Sequence, residues 1–347
     1  MYTIREGLTY DDLLLQPKYS TVLSRDNVDL SVNIKGITYQ HPIIPANMQS
    51  VTGEKMANAI IASGGLAILH RFMPIEEQLQ IANHFYLRSK NTLITNNIMN
   101  QLAFSIGVKE QYKEYVKKFI DKGVKIFCID IAHGDSIHGR NMTEWIRTNY
   151  SDMIIISGNI ATKTGAYTLW ECGADVIKCG IGSGSICSTR IEAAAGVPQM
   201  TALIDVAEAK KCFIKQHPDR QIYIISDGGT RDPGDFVKSL CFADMVMTGN
   251  TFSGCVESPG SILTVGGKTY KEYKGSSTHK SKHIEGVMAI VPTKGKFENI
   301  LKKLLEGIRS GLSYQGAHNL SELKEDPQFI KITSAGLIES RPHDVLF

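Results

Sequence analysis

Eight short, almost wholly apolar runs punctuate the chain: Pro42 to Asn47, Leu66 to His70, Phe104 to Val108, Ile126 to Asp130, Met153 to Asn159, Asp175 to Ile181, Ile222 to Asp227 and Met245 to Gly249. Runs this short, continuously apolar and rich in Ile and Val read as strands buried on both faces. Between them apolar residues recur every three or four positions, which predicts helices over Glu54 to Ser63, Pro74 to Phe85, Glu110 to Lys122, Met142 to Thr148, Lys163 to Cys172, Met200 to Gln216 and Gly234 to Leu240. Phe297 to Ile308 supplies a final helix. Alternation of this kind predicts parallel βαβ units, and eight of them predict an α/β fold of the closed (β/α)8, or TIM barrel, type. Periodicity does not see closure, so a doubly wound open sheet fits the same pattern.

The pattern changes after the eighth run. Residues 254–285 are rich in Gly, Ser, Lys and His with almost no apolar periodicity. Gly266-Gly267 suits a hairpin turn between Leu263 and Tyr270. A polar excursion this long in a compact enzyme reads as a lid or a disordered insert. The expected organisation is one catalytic domain over residues 1–347, with a lid at 250–290 and no regulatory insertion.

The polar residues collect where the apolar runs end: Asn47, His70-Arg71, Asp130, Gly158-Asn159, Gly180-Ile-Gly182, Asp227-Gly-Gly229 and Gly249-Asn250. In a barrel these are the strand C-termini, where active sites are built. Composition then narrows the class. At 347 residues and 42% hydrophobic the chain can build a large core, and a net charge of +3 without a dense basic block gives no reason to expect nucleic acid. Seven cysteines without a CxxC pair or metal-type spacing read as a reduced, cytoplasmic protein in which Cys128, Cys179 and Cys241 pack as small apolar residues. No membrane span is expected.

The most informative segment is Gly180-Ile-Gly182-Ser-Gly184-Ser185-Ile-Cys187-Ser-Thr189-Arg190. Three glycines in five positions let the backbone approach a ligand, and a thiol follows directly. The spacing is not that of a dinucleotide fingerprint, because Ser185 stands where the third glycine would fall. Gly228-Gly229 and Gly249-Asn250 end the next two strands, the usual phosphate region of such barrels. Any one of these loops alone reads as an ordinary tight turn; three consecutive ones favour phosphate. A lone cysteine is usually packing, but Cys187 lies behind a glycine loop, with Thr189 and the cation of Arg190 beside it to favour a thiolate. Asp227 suits ribose hydroxyls or, equally, a turn cap.

These residues belong to a recognisable set. With Thr9-Tyr-Asp11-Asp12, Pro42-Ile-Ile-Pro-Ala-Asn47-Met48, Asp130-Ile-Ala-His133-Gly134, Ser226-Asp227-Gly228-Gly229, Glu257-Ser-Pro-Gly260 and Tyr314-Gln-Gly316, the chain resembles the family of inosine monophosphate (IMP) dehydrogenase and guanosine monophosphate (GMP) reductase over nearly its whole length. The resemblance implies Cys187 as nucleophile at the purine C2, with Thr189 and Glu285 handling protons. It implies Ser185, Asp227, Gly228, Gly229, Gly249, Asn250, Ser276, Ser277 and Gly286 around the purine nucleotide, GMP or IMP. Ser24, Arg25, Arg71, Asp130 and Gly180 would serve NADPH, and a monovalent cation, K+, would sit at Gly182, Gly184, Cys187 and Arg190. A homotetramer is expected. Ser183, Asn250 and Cys255 depart from the residues usual at their positions. The absence of a regulatory insertion, and of an Arg-Tyr pair between Ser277 and Glu285, resembles the reductase branch. The alternatives are a trimmed IMP dehydrogenase, a nucleotide-binding protein of this fold without turnover, and an unrelated sugar-phosphate barrel.

Overall fold

The computed structural model describes residues 4–91, 98–275 and 288–342. Its centre is an eight-stranded parallel sheet of β1 (Ile43–Pro45), β2 (Ala67–Leu69), β3 (Leu102–Ile106), β4 (Ile126–Asp130), β5 (Ile154–Ile160), β6 (Val176–Cys179), β7 (Tyr223–Asp227) and β8 (Met245–Thr248). The spatial order runs β1-β8-β7-β6-β5-β4-β3-β2. β8 pairs with β1 through Val246 opposite Ile43, and β1 lies against β2, so the sheet rolls up into the (β/α)8 barrel. Both faces of the strands are covered: every residue of β3 is buried, as are six of the seven in β5. That is why the strands read as unbroken apolar runs rather than as alternating ones.

The outer layer is α1 (Glu54–Ala62), α2 (Ile75–Asn91), α3 (Gln111–Ile120), α4 (Ile137–Asn149), α5 (Lys163–Glu171), α6 (Gln199–Gln216), α7 (Pro233–Leu240) and α8 (Phe297–Tyr314). Local chemistry sets their starts. The Ser136 hydroxyl accepts from the Gly139 N–H at α4, the Thr162 hydroxyl accepts from Gly165 at α5, and Pro233 takes the first position of α7. α8 buries Phe297, Leu301, Leu304, Ile308 and Leu312 on one face. It crosses α7 closely because Gly307 and Gly311 offer no Cβ where Pro233 and Val237 lie 2.5 Å from such an atom. β2 is followed by α2 and then, from Leu102, by β3.

The segment expected as a lid or disordered insert is partly a sheet. β9 (Ile262–Val265), β10 (Lys268–Lys274) and β11 (Met288–Pro292) form a three-stranded antiparallel sheet. Leu263 faces Tyr270 across the Gly266-Gly267 turn, and both glycines have positive φ, as a tight hairpin turn requires. β10 buries Lys271 and Tyr273, two residues apart. The inward face alternates correctly, but its side chains are a lysine and a tyrosine, so no apolar period appears. The expected barrel elements differ at their ends: α2 runs on to Asn91, α4 begins at Ile137 and α8 reaches Tyr314, while two small sheets (Leu13–Leu15 with Phe329–Lys331, and Val32–Ile34 with Ile37–Tyr39) and the helices Leu320–Glu325 and Ser334–Glu339 lie outside the expected set.

Candidate active site

A cavity of about 540 Å³ opens over the C-terminal ends of the strands. Its walls include Arg71, Asp130, Gly180, Gly182, Gly184, Ser185, Cys187, Thr189, Asp227 and Gly228, which the barrel brings together from sequence positions more than 150 apart. The glycine loop is held tightly at its base. Gly180 has φ +154°, and a Cβ there would lie 2.1 Å from the Asp227 carbonyl oxygen, so only glycine lets the ends of β6 and β7 approach. The Gln199 amide donates to the Cys179 carbonyl at 2.8 Å and fixes the same strand end from α6. The loop then rises to Cys187, which is exposed and whose thiol donates to the Thr189 hydroxyl at 3.1 Å. The other exposed thiol is Cys212 on α6, while burial pushes Cys128, Cys241 and Cys255 up to about 12.

Arg190, the cation expected beside the thiol, contacts the loop's own backbone. The Arg190 guanidinium donates to the Val197 carbonyl at 2.9 Å, and its stem and Nε fill the space a side chain at Gly182 or Gly196 would need. Its charge is engaged with that backbone, and the group meeting the thiol is the Thr189 hydroxyl.

Beneath the loop lies a polar cluster on six strand ends. Lys178, 2% exposed, donates from Nζ to Asp130 at 2.8 Å, Asp227 at 3.2 Å and Asn47 at 3.4 Å. Asn159 donates to the same Asp227 oxygen and to the Gly180 carbonyl, each at 2.8 Å. Arg71 donates from Nε to the Asp130 carbonyl at 3.1 Å and stacks over Phe72. Burial pushes the Asp130 carboxyl up, but the Lys178 ammonium, with Arg71 and Asn47, outweighs it and holds the group below the usual carboxylate range. Burial likewise opposes charge on Lys178, and its two carboxylates overcome that and raise its affinity for the proton. His133 follows the same strand but is exposed and does not line the cavity.

The remaining expected residues distribute around this centre. A Cβ at Gly229 would meet Ser183 at 3.4 Å. Gly249 faces the Tyr273 hydroxyl, 2.5 Å from its would-be Cβ, and Asn250 opens a helical turn, Asn250–Ser253, whose first carbonyl receives the Lys294 ammonium at 2.5 Å. Ser24 and Arg25 sit on an exposed turn that does not line the cavity. Ser276, Ser277, Glu285 and Gly286 lie outside the described residues. Sequence reasoning missed Lys178 and Tyr273 as wall residues. A lysine within the run Asp175-Val-Ile-Lys-Cys179 was the available signal, because a charge is kept inside a buried strand only with partners.

Fold and site together define a (β/α)8-barrel enzyme whose active-site cavity joins glycine loops to an exposed thiol. Residues 7–343 match the IMP dehydrogenase / GMP reductase domain, and the chain belongs to that family of oxidoreductases, which use nicotinamide nucleotides and act on purine nucleotides. Among its relatives, an inosine-5'-monophosphate dehydrogenase of Nitrosopumilus maritimus is 32% identical, with 99% of each chain covered. One from Borreliella burgdorferi is 35% identical, with 98% of each covered. A GMP reductase of Lactobacillus delbrueckii subsp. bulgaricus is 32% identical, covering 93% of this chain and 94% of that one. The Nitrosopumilus alignment extends over 478 positions and the Lactobacillus alignment over 331, against 347 residues here.

Proposed function

We propose that this protein is a GMP reductase, converting GMP to IMP and ammonia with NADPH as hydride donor. The observation carrying this reading is the exposed Cys187 thiol 3.1 Å from the Thr189 hydroxyl, in a cavity walled by the Gly180–Ser185 loop and by Asp227-Gly228. Two further facts favour the reductase over the dehydrogenase. β2 runs straight into α2, and the segment from Ser277 to Glu285 contains neither Arg nor Tyr, the pair a dehydrogenase of this family uses to activate water.

In the proposed reaction the Cys187 thiolate adds to purine C2 and forms a C–S bond. The C2 amino group takes a proton relayed through Thr189 from Glu285 and leaves as ammonia. Bound NADPH supplies a hydride to C2. The C–S bond then breaks, Cys187 departs as thiolate, and IMP is released. Ser185 and the backbone N–H groups of Gly229, Gly249 and Asn250 bind the phosphate, Gly228 gives its N–H to the Met247 carbonyl and lines the cavity beside them, and Tyr273, Ser276, Ser277 and Gly286 are assigned to the same nucleotide. Asp227 accepts from the purine ribose, and Asp130, Gly180 and Arg71 take the nicotinamide side. Arg71, Phe72 and Lys109 line the cavity and fit a phosphate-rich, ring-bearing dinucleotide. Ser24 and Arg25 are exposed on their own chain, suited to reach the adenosine end in a neighbouring copy of a cytoplasmic homotetramer. The donor set at Gly182, Gly184, Cys187 and Arg190 is backbone carbonyl without carboxylate, which suits K+ and would stiffen the loop.

The alternative is a short IMP dehydrogenase, favoured by the 35% identity to the Borreliella enzyme, whose alignment extends over only 402 positions. Initial rates separate the two. NADPH oxidation with GMP, and none of NAD reduction with IMP, supports the reductase; the opposite pair of results reverses the assignment. In the reductase, Glu285→Gln lowers deamination far more than GMP binding.

A further inference from the structure

We propose that Lys178 is a positioning residue, one buried ammonium clamping the two carboxylates that face the two ribose sites, so that both nucleotides are held from a single charge. The inference rests on the reading that Asp130 serves the nicotinamide nucleotide and Asp227 the purine nucleotide. The geometry is specific. Lys178 emerges from β6, while Asp130 ends β4 and Asp227 ends β7, so the three groups arrive from different strands and meet at 2.8 and 3.2 Å. Asn47 after β1 accepts the third ammonium proton at 3.4 Å and itself donates to Ser105 of β3 at 2.8 Å. The donor capacity of the ammonium is thereby spent.

Lys178 is 2% exposed, and a half-buried carboxylate stripped of its cation keeps a proton to a higher pH. The other groups facing the cluster are few. Arg71 and the neutral His70, whose ring burial lowers to about 4, approach Asp130 from the end of β2. The Cys128 thiol of β4 lies near the ammonium and the Cys179 thiol of β6 near Asp227; burial raises both. Asn159 of β5 is uncharged, and the Tyr273 hydroxyl of β10, raised by burial and further by Asp227, faces that carboxylate from the sheet. Lys178 is therefore the cation in direct side-chain contact with both carboxylates among the described residues.

The test is the acid limb of kcat/KM for whichever hydride transfer the wild type performs, which reports groups of the free enzyme. Lys178→Met should move that limb upward by about one pH unit or more, and lower kcat/KM at neutral pH by at least about tenfold. Lys178→Arg, which keeps the charge, should return the limb to its wild-type position. A purely structural lysine would lower the amount of folded protein and leave the limb where it was, and that result overturns the inference. Should Lys178→Met not accumulate, Lys178→Gln is read the same way, with the same two outcomes. Calorimetry on the wild type with IMP and GMP separates the two levels. Failure to bind either nucleotide removes the proposed function itself. Binding and turnover with an unmoved acid limb in the uncharged variants removes only the role of Lys178.

Discussion

At the scale of single residues, burial sorts the seven thiols before any chemistry is invoked. Cys187 and Cys212 are exposed, and the others are buried. Iodoacetamide should label those two in the native protein, and IMP should protect Cys187 alone; mass spectrometry of the digested protein reads both outcomes. Labelling of Cys212 that also responds to IMP would detach the thiol at 187 from the nucleotide site. Gly180 makes a different kind of prediction. Its would-be Cβ lies 2.1 Å from a backbone oxygen that cannot swing aside. Gly180→Ala should therefore lower the melting temperature by at least several degrees, through strain at the β6–β7 junction. Tyr273 is buried, and burial raises its hydroxyl pKa while Ser185 opposes the shift by hydrogen bonding. Tyr273→Phe should weaken IMP binding by about tenfold in calorimetry, with little change in melting temperature.

At the scale of elements, the three-stranded sheet is fastened to the barrel by an unusual nail. Lys271 of β10 is 3% exposed, and its ammonium donates to the carbonyls of Cys255 at 2.8 Å, Val256 at 3.3 Å and Ser258 at 2.5 Å. Lys271→Met takes the ammonium from the Val256 and Ser258 carbonyls, while Cys255 keeps the Ser258 hydroxyl, and should loosen β9 and β10. Limited proteolysis should then cut within the Gly266-Gly267 turn faster than in the wild type, while the barrel's own unfolding transition stays in place. The same sheet marks where reading the sequence stopped. Strands β1 to β8 were legible because both their faces are apolar, and the hairpin turn because two adjacent glycines permit its positive φ angles. β10 was not, since its inward positions carry Lys271 and Tyr273, whose burial depends on partners from distant loops. The glycine loops and Cys187 were legible by spacing. The backbone contact of Arg190 was not, because it depends on Gly196 and Val197 coming close to Gly182.

At the scale of the whole molecule, the two ends of the barrel spend charge differently. At the N-terminal ends of the strands, Asp175 pairs with Arg147 and Lys35, and Asp244 with Lys210 and Lys324, at 2.6 to 2.8 Å. These ion pairs tie helices and loops to strands and face no catalytic cavity. At the C-terminal ends the charges line the cavity. Stability should follow pH accordingly. Burial lowers His41 and His70 to about 4, from the value near 6.5 expected when unfolded. The unfolded chain binds more protons in that window, so stability is complete above about pH 6.5 and is lost as pH falls toward 4. Melting temperatures recorded from pH 7 to 4.5 should decline throughout, and a flat profile would contradict the burial of both imidazoles.

The proposed function stands on covalent displacement of the GMP amino group by Cys187. Its most direct test is NADPH oxidation and ammonia release measured together on GMP, for the wild type and for Cys187→Ala. The wild type should consume one NADPH for each ammonia released, and Cys187→Ala should lose both signals together, by on the order of 10³-fold or more, while still binding IMP. Ammonia release that continues in Cys187→Ala would contradict it.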